Sequence, residues 1–209
     1  MKIENQNGFS LIEIVITIFI SLIVGTASWN IFISHYKGYQ AQTAILDAQQ
    51  NASLGIDMMV REIKMAGYDP ADKAFNGEKY LSDGTQVKKI VEAKEKKIRF
   101  LADINGDGNF NDKDDDNEDI TYELRDGETT LRRKSRIGGQ PLSENIESLH
   151  ITYLDREGKI IPSPVSDTSV IRMVEIYIRS RTERADPDFK FDDGYRKREI
   201  RSSVYLRNL

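Results

Sequence analysis

Apolar residues run almost unbroken from Phe9 to Ile33 and then thin into a periodic stripe. Ile45, Ala48, Ala52, Ile56, Met59, Ile63 and Ala66 recur at three- and four-residue steps, while Gln49, Asp57, Arg61 and Lys64 fall largely elsewhere. The first pattern is that of a helix apolar all round, and the second that of an amphipathic one. No proline occurs before Pro70, so a single helix is predicted from Phe9 to about Ala66, roughly 85 Å long at 1.5 Å per residue. Ala66-Gly67-Tyr68-Asp69-Pro70 supplies its stop: Gly67 can take the left-handed C-cap and Pro70 bars continuation. Gly25, Gly38 and Gly55 mark places where the helix either bends or packs closely against a neighbour.

Beyond the helix the pattern changes period. Asp72 to Lys97 is polar and punctuated by Gly77 and Gly84, and reads as an irregular connection with room for one short strand. Strand-like runs follow at Lys97–Ala102, Ile120–Leu124, Thr130–Arg133, Leu149–Leu154, Val170–Ser180 and Glu199–Leu206, separated by turn signals such as Asp126-Gly127, Gly138-Gly139 and Glu157-Gly158. Short connections favour antiparallel pairing. Alternation is clear in the last two runs, with Val174, Ile176 and Ile178 opposed to Glu175, Tyr177 and Arg179, and the apolar faces predict a cover for the helix stripe. The expected fold is therefore α+β: a long N-terminal helix packed on an antiparallel β-sheet head. Between the last two runs, Arg181–Arg196 is a long acidic and aromatic loop.

Composition narrows the chemistry. The chain has 209 residues, of which 31% are charged, yet its net charge is only -4, so no bulk field favours nucleic acid. There is no cysteine, which excludes disulfides, thiolate nucleophiles and thiolate zinc sites, and the only histidines are His35 and His150. With neither a usable histidine pair nor a phosphate-cradling glycine motif, an anchored hydrolase is poorly supported and catalysis is not expected.

The front of the chain carries the sharpest signal. A secretory signal would show a short apolar core followed by a small-residue cleavage site, whereas Phe9–Ile33 is about 25 residues long and no such site follows. The segment matches a bilayer core of about 30 Å. Glu13 lies within this otherwise uncharged block, where an ionised carboxylate costs roughly 2–3 kcal/mol, so it needs a partner or a purpose. The run Gly8-Phe9-Ser10-Leu11-Ile12-Glu13 resembles the processing site of type IV prepilins. That resemblance implies cleavage between Gly8 and Phe9 by a prepilin peptidase, N-methylation of Phe9, and a role for Glu13 in assembly with other pilins through the N-terminal helix. It also implies residence in the bacterial inner membrane, against its lipid, with the C-terminal domain periplasmic, before transfer to a filament. Gln140-Pro141-Leu142, Asn145-Ile146, Tyr153-Leu154-Asp155 and Met65-Ala66-Gly67-Tyr68 are further similar to minor pilins of the PilW type and to J-type minor pseudopilins of type II secretion. The implied division is a leader (1–8), a membrane and assembly half-helix (9–33), an amphipathic half-helix (34–67) and a β domain (68–209).

One segment promises metal chemistry. Asp103 to Asp114 fits a twelve-residue calcium loop, with oxygens from Asp103, Asn105 and Asp107 at positions 1, 3 and 5, a bend at Gly108, and Asn109, Asn111 and Asp114 completing the candidate ligands. Phe110 at position 8 is expected to turn inward. An all-oxygen set favours Ca2+ over zinc, and an irregular loop favours it over octahedral magnesium. Asp112 to Asp119 adds six acids against one lysine, a repulsive cluster that a cation relieves. The alternative is an acidic surface turn. Three functions stay open: a minor pilin of a type IV pilus, a minor pseudopilin of a secretion piston, and a membrane-anchored, calcium-dependent binding module in which the Arg181–Arg196 loop makes the contact.

Overall fold

A computed structural model describes residues 9–77, 80–111 and 117–209. The chain divides at Thr43 and Ala44 into two compact units, joined covalently within one helix, α1 (Leu11–Ile63).

In the first unit the apolar side chains from Leu11 to Phe32 are exposed on every side of α1, and the helix is long and apolar enough to cross a membrane. Isoleucine, valine and phenylalanine, common in strands, are held helical here because a helix satisfies its backbone hydrogen bonds without a neighbour. Two threonine hydroxyls bond back to the same helix: Thr17 Oγ1 donates to the Glu13 carbonyl (2.6 Å) and Thr26 Oγ1 to that of Leu22 (3.0 Å).

In the second unit the predicted stripe is the buried one: Ala48, Ala52, Ile56, Met59, Ile63 and Ala66 all lie in the core. The helix ends where expected, with Gly67 left-handed at φ 75° and its N–H donating to the Leu101 carbonyl (2.8 Å). Gly55 is a packing glycine rather than a bend. It is buried, and a Cβ there would meet Ser143 Cβ at 3.2 Å and Leu131 Cδ2 at 3.5 Å; Ser143 Oγ also donates to the Asn51 carbonyl (2.8 Å). Gly25 and Gly38 have no such neighbours within 4 Å.

The strands form two antiparallel sheets. The first has the order β1 (Ile90–Lys94), β2 (Lys97–Leu101), β3 (Asp119–Glu123), β4 (Leu131–Lys134), β5 (Gly139–Ser143). The second has the order β7 (Ile160–Ile161), β6 (Ile146–Leu154), β8 (Met173–Arg181), β9 (Lys197–Tyr205). The six predicted runs correspond to β2, β3, β4, β6, β8 and β9, with ends displaced by at most three residues. β5 escapes a pattern reading because Gly139 and Pro141 look like turn residues; Pro141 is accommodated since β5 is an edge strand, where a missing N–H leaves no ladder partner unmet.

Both sheets and the helix stripe share one hydrophobic core, including Met59, Ile63, Ile98, Phe100, Tyr122, Leu131, Leu149, Tyr153, Ile176 and Ile178. Two buried hydroxyls tie its parts together. Tyr153 of β6 donates to the carbonyls of Lys94 (2.9 Å) and Lys97 (3.2 Å) in the β1–β2 hairpin. Thr168 Oγ1 donates to the Ile90 carbonyl (2.6 Å). A smaller cluster of Ala74, Leu81, Leu101 and Phe110 sits under the β2–β3 connection, and it positions the acidic loop.

Candidate functional site

Two sites emerge, one in each unit. The first is the start of α1. Gly8 lies outside the described residues, and Phe9 is exposed two residues before the helix. Glu13 stands in the first turn, where the helix dipole favours a carboxylate. Its Oε2 accepts the Ser10 backbone N–H at 2.9 Å. Ser10-x-x-Glu13 is thus a capping-box spacing, with the glutamate reaching back to an otherwise orphaned donor. The prepilin resemblance gives Glu13 a role in assembly alone; serine three positions ahead of it is the sequence signal for this second role. The same carboxylate lies one helical turn beyond Phe9.

The second site is the β2–β3 connection. The ladder pairs Leu101 with Asp119 and continues one step, with Ala102 N–H donating to the Glu118 carbonyl (2.9 Å). This register brings Asp103, at the loop's start, beside Glu118, at its end. Carboxylate oxygens of Asp103, Asp107 and Glu118 lie within 4.8 Å of one another. Asp103 and Glu118 are fully buried, and Asp107 is exposed. Such an acidic triad, with two of its three carboxylates buried, can hold a metal ion.

The loop is organised around its own backbone. Asp103 accepts from Gly106 N–H at Oδ1 (2.7 Å) and from Gly108 N–H at Oδ2 (3.1 Å). Asn105 Oδ1 accepts from Asp107 (2.7 Å), Asp107 Oδ1 from Asn109 (2.7 Å), and Asn109 Oδ1 from Asn111 (2.9 Å). Asn111 Oδ1 accepts the Ser82 N–H at 2.7 Å, toward the neighbouring chain segment. Glu118 Oε1 accepts two backbone donors, Ile104 (2.8 Å) and Asn105 (3.2 Å). Gly106 and Gly108 both have φ near 80°, and a Cβ on Gly108 would meet Lys73 Cβ at 3.1 Å, so glycine is required there for both conformation and space. Phe110 is buried against Phe75, ring centroids 5.2 Å apart, which turns position 8 inward as expected.

Of the six ligands predicted from sequence, Asp103 and Asp107 are brought together. The side chains of Asn105 and Asn109 accept backbone N–H groups of the loop itself, that of Asn111 accepts from Ser82, and Asp114 lies outside the described residues. Glu118 was missed. The fixed twelve-residue template ended at Asp114, whereas the signal for Glu118 was hairpin register: it immediately precedes β3 and so faces the residue beside Asp103. Not every acid in the cluster is a candidate. Asp119 is held by both Nε (2.8 Å) and Nη2 (2.6 Å) of Arg99, and Arg99 Nη1 also reaches Asp83 (2.8 Å). Asp83 is driven down to about 2: burial opposes the shift, but hydrogen bonds from Thr85 and the Arg99 guanidinium outweigh it.

The exit of the loop is tied to α1. Arg133 of β4 donates from Nη2 to Asn117 Oδ1 (3.0 Å) and from Nε to Glu62 Oε2 (2.9 Å), and Tyr122 donates to the same Glu62 carboxylate. Burial and that carboxylate together push the Tyr122 hydroxyl's pKa far up.

Residues 4–29 match the prokaryotic N-terminal methylation motif. No curated protein matches the sequence. Among matching solved structures is a type IV-like pilin from Thermus thermophilus, at 12% identity, covering 77% of this chain and 97% of that one, with a TM-score of 0.45. The chain thus carries a prokaryotic N-terminal methylation motif at the head of a long apolar helix that leads into two antiparallel sheets, and in this it is similar to type IV pilin-like proteins.

Proposed function

We propose that the protein is a minor pilin, of the PilW type by its resemblances, cut between Gly8 and Phe9, methylated on Phe9 and incorporated into a type IV pilus. The observation that carries this reading is the methylation motif at 4–29 leading into an exposed apolar helix with Glu13 in its first turn. In the membrane, Glu13 and the new α-amine four residues earlier neutralise one another across one helical turn. In a filament the same carboxylate pairs with the amine of a neighbouring subunit in an apolar surround, which favours one register over sliding alternatives. The β domain carries a Ca2+ site in this reading. Asp103, Asp107 and Glu118 supply carboxylates, with Asn105, Asn109, Asn111 and Asp114 as the remaining oxygens of the loop. Support comes from the donor set, which is hard oxygen throughout, and from two buried carboxylates held side by side. The ion would pin the β2–β3 connection, coupling folding of the domain to calcium outside the cytoplasm. The reading is tested by shearing filaments from the native host. It expects the mature chain in the sheared fraction at a small fraction of the major subunit, and fewer filaments on deletion. A chain that stays wholly in the membrane, with piliation unchanged on deletion, contradicts it.

A further inference from the structure

The membrane end of α1 has two unlike faces. Trp29, Phe32 and Tyr36 stand on one side at steps of three and four, their rings forming a ladder with centroids 6.0 Å and 6.2 Å apart, and Tyr39 continues the row. All four are exposed. At 100° per residue they occupy an arc of only about 80°. Asn30, Ser34 and Lys37, also at steps of three and four, lie nearly opposite. The helix therefore changes, over Trp29–Tyr39, from apolar all round to aromatic on one side and polar on the other.

Its position along the chain identifies what covers the aromatic side. From Leu11, the first helical residue, Trp29 is eighteen residues on, or about 27 Å, against a hydrocarbon thickness of about 30 Å. Phe32 and Tyr36 follow at about 31 and 37 Å, within the 40–45 Å that includes the headgroups. Helical side chains lean toward the N-terminus, which lowers the Tyr36 ring toward the boundary. Indole and phenol are the side chains that prefer this layer, with an apolar body in the chains and a polar tip among headgroups.

We propose that the Trp29–Phe32–Tyr36 face is an interfacial anchor, seated at the headgroup boundary of the leaflet farther from Glu13. It sets the depth of the helix and tilts it so that this face leans on lipid and the Asn30–Ser34–Lys37 face turns away. The inference rests on the membrane-spanning reading of α1.

Trp29 is the sole tryptophan, so its fluorescence reports depth without labelling. The full chain is reconstituted in phosphatidylcholine–phosphatidylglycerol vesicles whose acyl chains are brominated either near the glycerol or near the chain end. The anchor predicts stronger quenching by bromines near the glycerol, and a shift of the ratio toward the chain end in a Phe32→Ser, Tyr36→Ser double variant, with Ser34→Ala as an unshifted control. Stronger quenching by chain-end bromines, or a ratio unmoved in the double variant, overturns the anchor while leaving the span intact. Trp29 shielded from both lipids and from aqueous iodide would mean that another helix covers the face, which also overturns it. Quenching by iodide with none by either lipid would show that the helix does not insert, and would remove the membrane reading itself.

Discussion

Replacing Glu118 with glutamine tests the acidic centre with a change of one charge and almost no volume. The glutamine carbonyl can still accept from Ile104 and Asn105, as Glu118 Oε1 does, so the loop keeps its backbone contacts. What changes is the charge beside buried Asp103, whose oxygen lies within 4.8 Å. At an effective dielectric of about 20, two like charges at that separation repel by roughly 3.5 kcal/mol. With chelator present, the variant is therefore expected to be as stable as the wild type or more so, by up to that amount. Calcium at about a hundred times its dissociation constant adds roughly 2.7 kcal/mol to a protein that binds it only when folded. For a chain of this length that raises Tm by about 5–10 °C. The wild type should show this rise and Glu118→Gln should show little of it, so the order of stability narrows or reverses between chelator and calcium. The assay is thermal unfolding of the detergent-solubilised chain under both conditions. An equal calcium shift in the two proteins would refute the assignment of Glu118, and no shift in either would refute the calcium site.

Three further outcomes follow from other parts of the structure. Glu13→Leu should leave insertion and leader cleavage intact and abolish incorporation into filaments, read by comparing membrane and sheared fractions; normal incorporation would rule out the registry role. Met59→Ala removes a fully buried side chain from the seam between α1 and the sheets and should cost about 2–5 kcal/mol in denaturant unfolding; a loss under about 1 kcal/mol would mean that the helix is not packed there. Glu123 is held below its ordinary 4.5: burial opposes the shift, but Lys134 and Arg125 outweigh it. A depressed carboxyl contributes stability that is present above its ordinary pKa and lost as the pH falls through the lowered one. Glu123→Gln should therefore lower stability at pH 7 and flatten the loss below about pH 4.5, seen in urea midpoints against pH.

Much of this was legible in residue order because local physics dominates where it was legible. The helix stripe at three- and four-residue steps became the buried seam, and Gly67 became the left-handed cap, since the helical period and the glycine–proline stop are both written in residues close along the chain. Strands with clear alternation, β8 and β9, were found for the same reason. What escaped depends on pairing. Pro141 and Gly139 are turn residues by type, and only the edge position of β5 makes them tolerable in a strand. The division into two sheets is set by which strands find hydrogen-bonding partners, a non-local outcome. Glu118 belongs beside Asp103 because β2 and β3 pair in one register, and a template counted along the chain stops four residues short. Ser10 with Glu13 is the opposite case, a local signature present throughout and overshadowed by the stronger reading of Glu13.

The central claim, that this chain matures along the prepilin route, is tested most directly by the mass of its N-terminal peptide. The protein should be recovered from membranes of the native host or of a strain carrying a prepilin peptidase. The account predicts a peptide beginning at Phe9 and bearing one added methyl group. A peptide still beginning at Met1 or Lys2 would contradict it and leave the chain a permanent single-pass anchor.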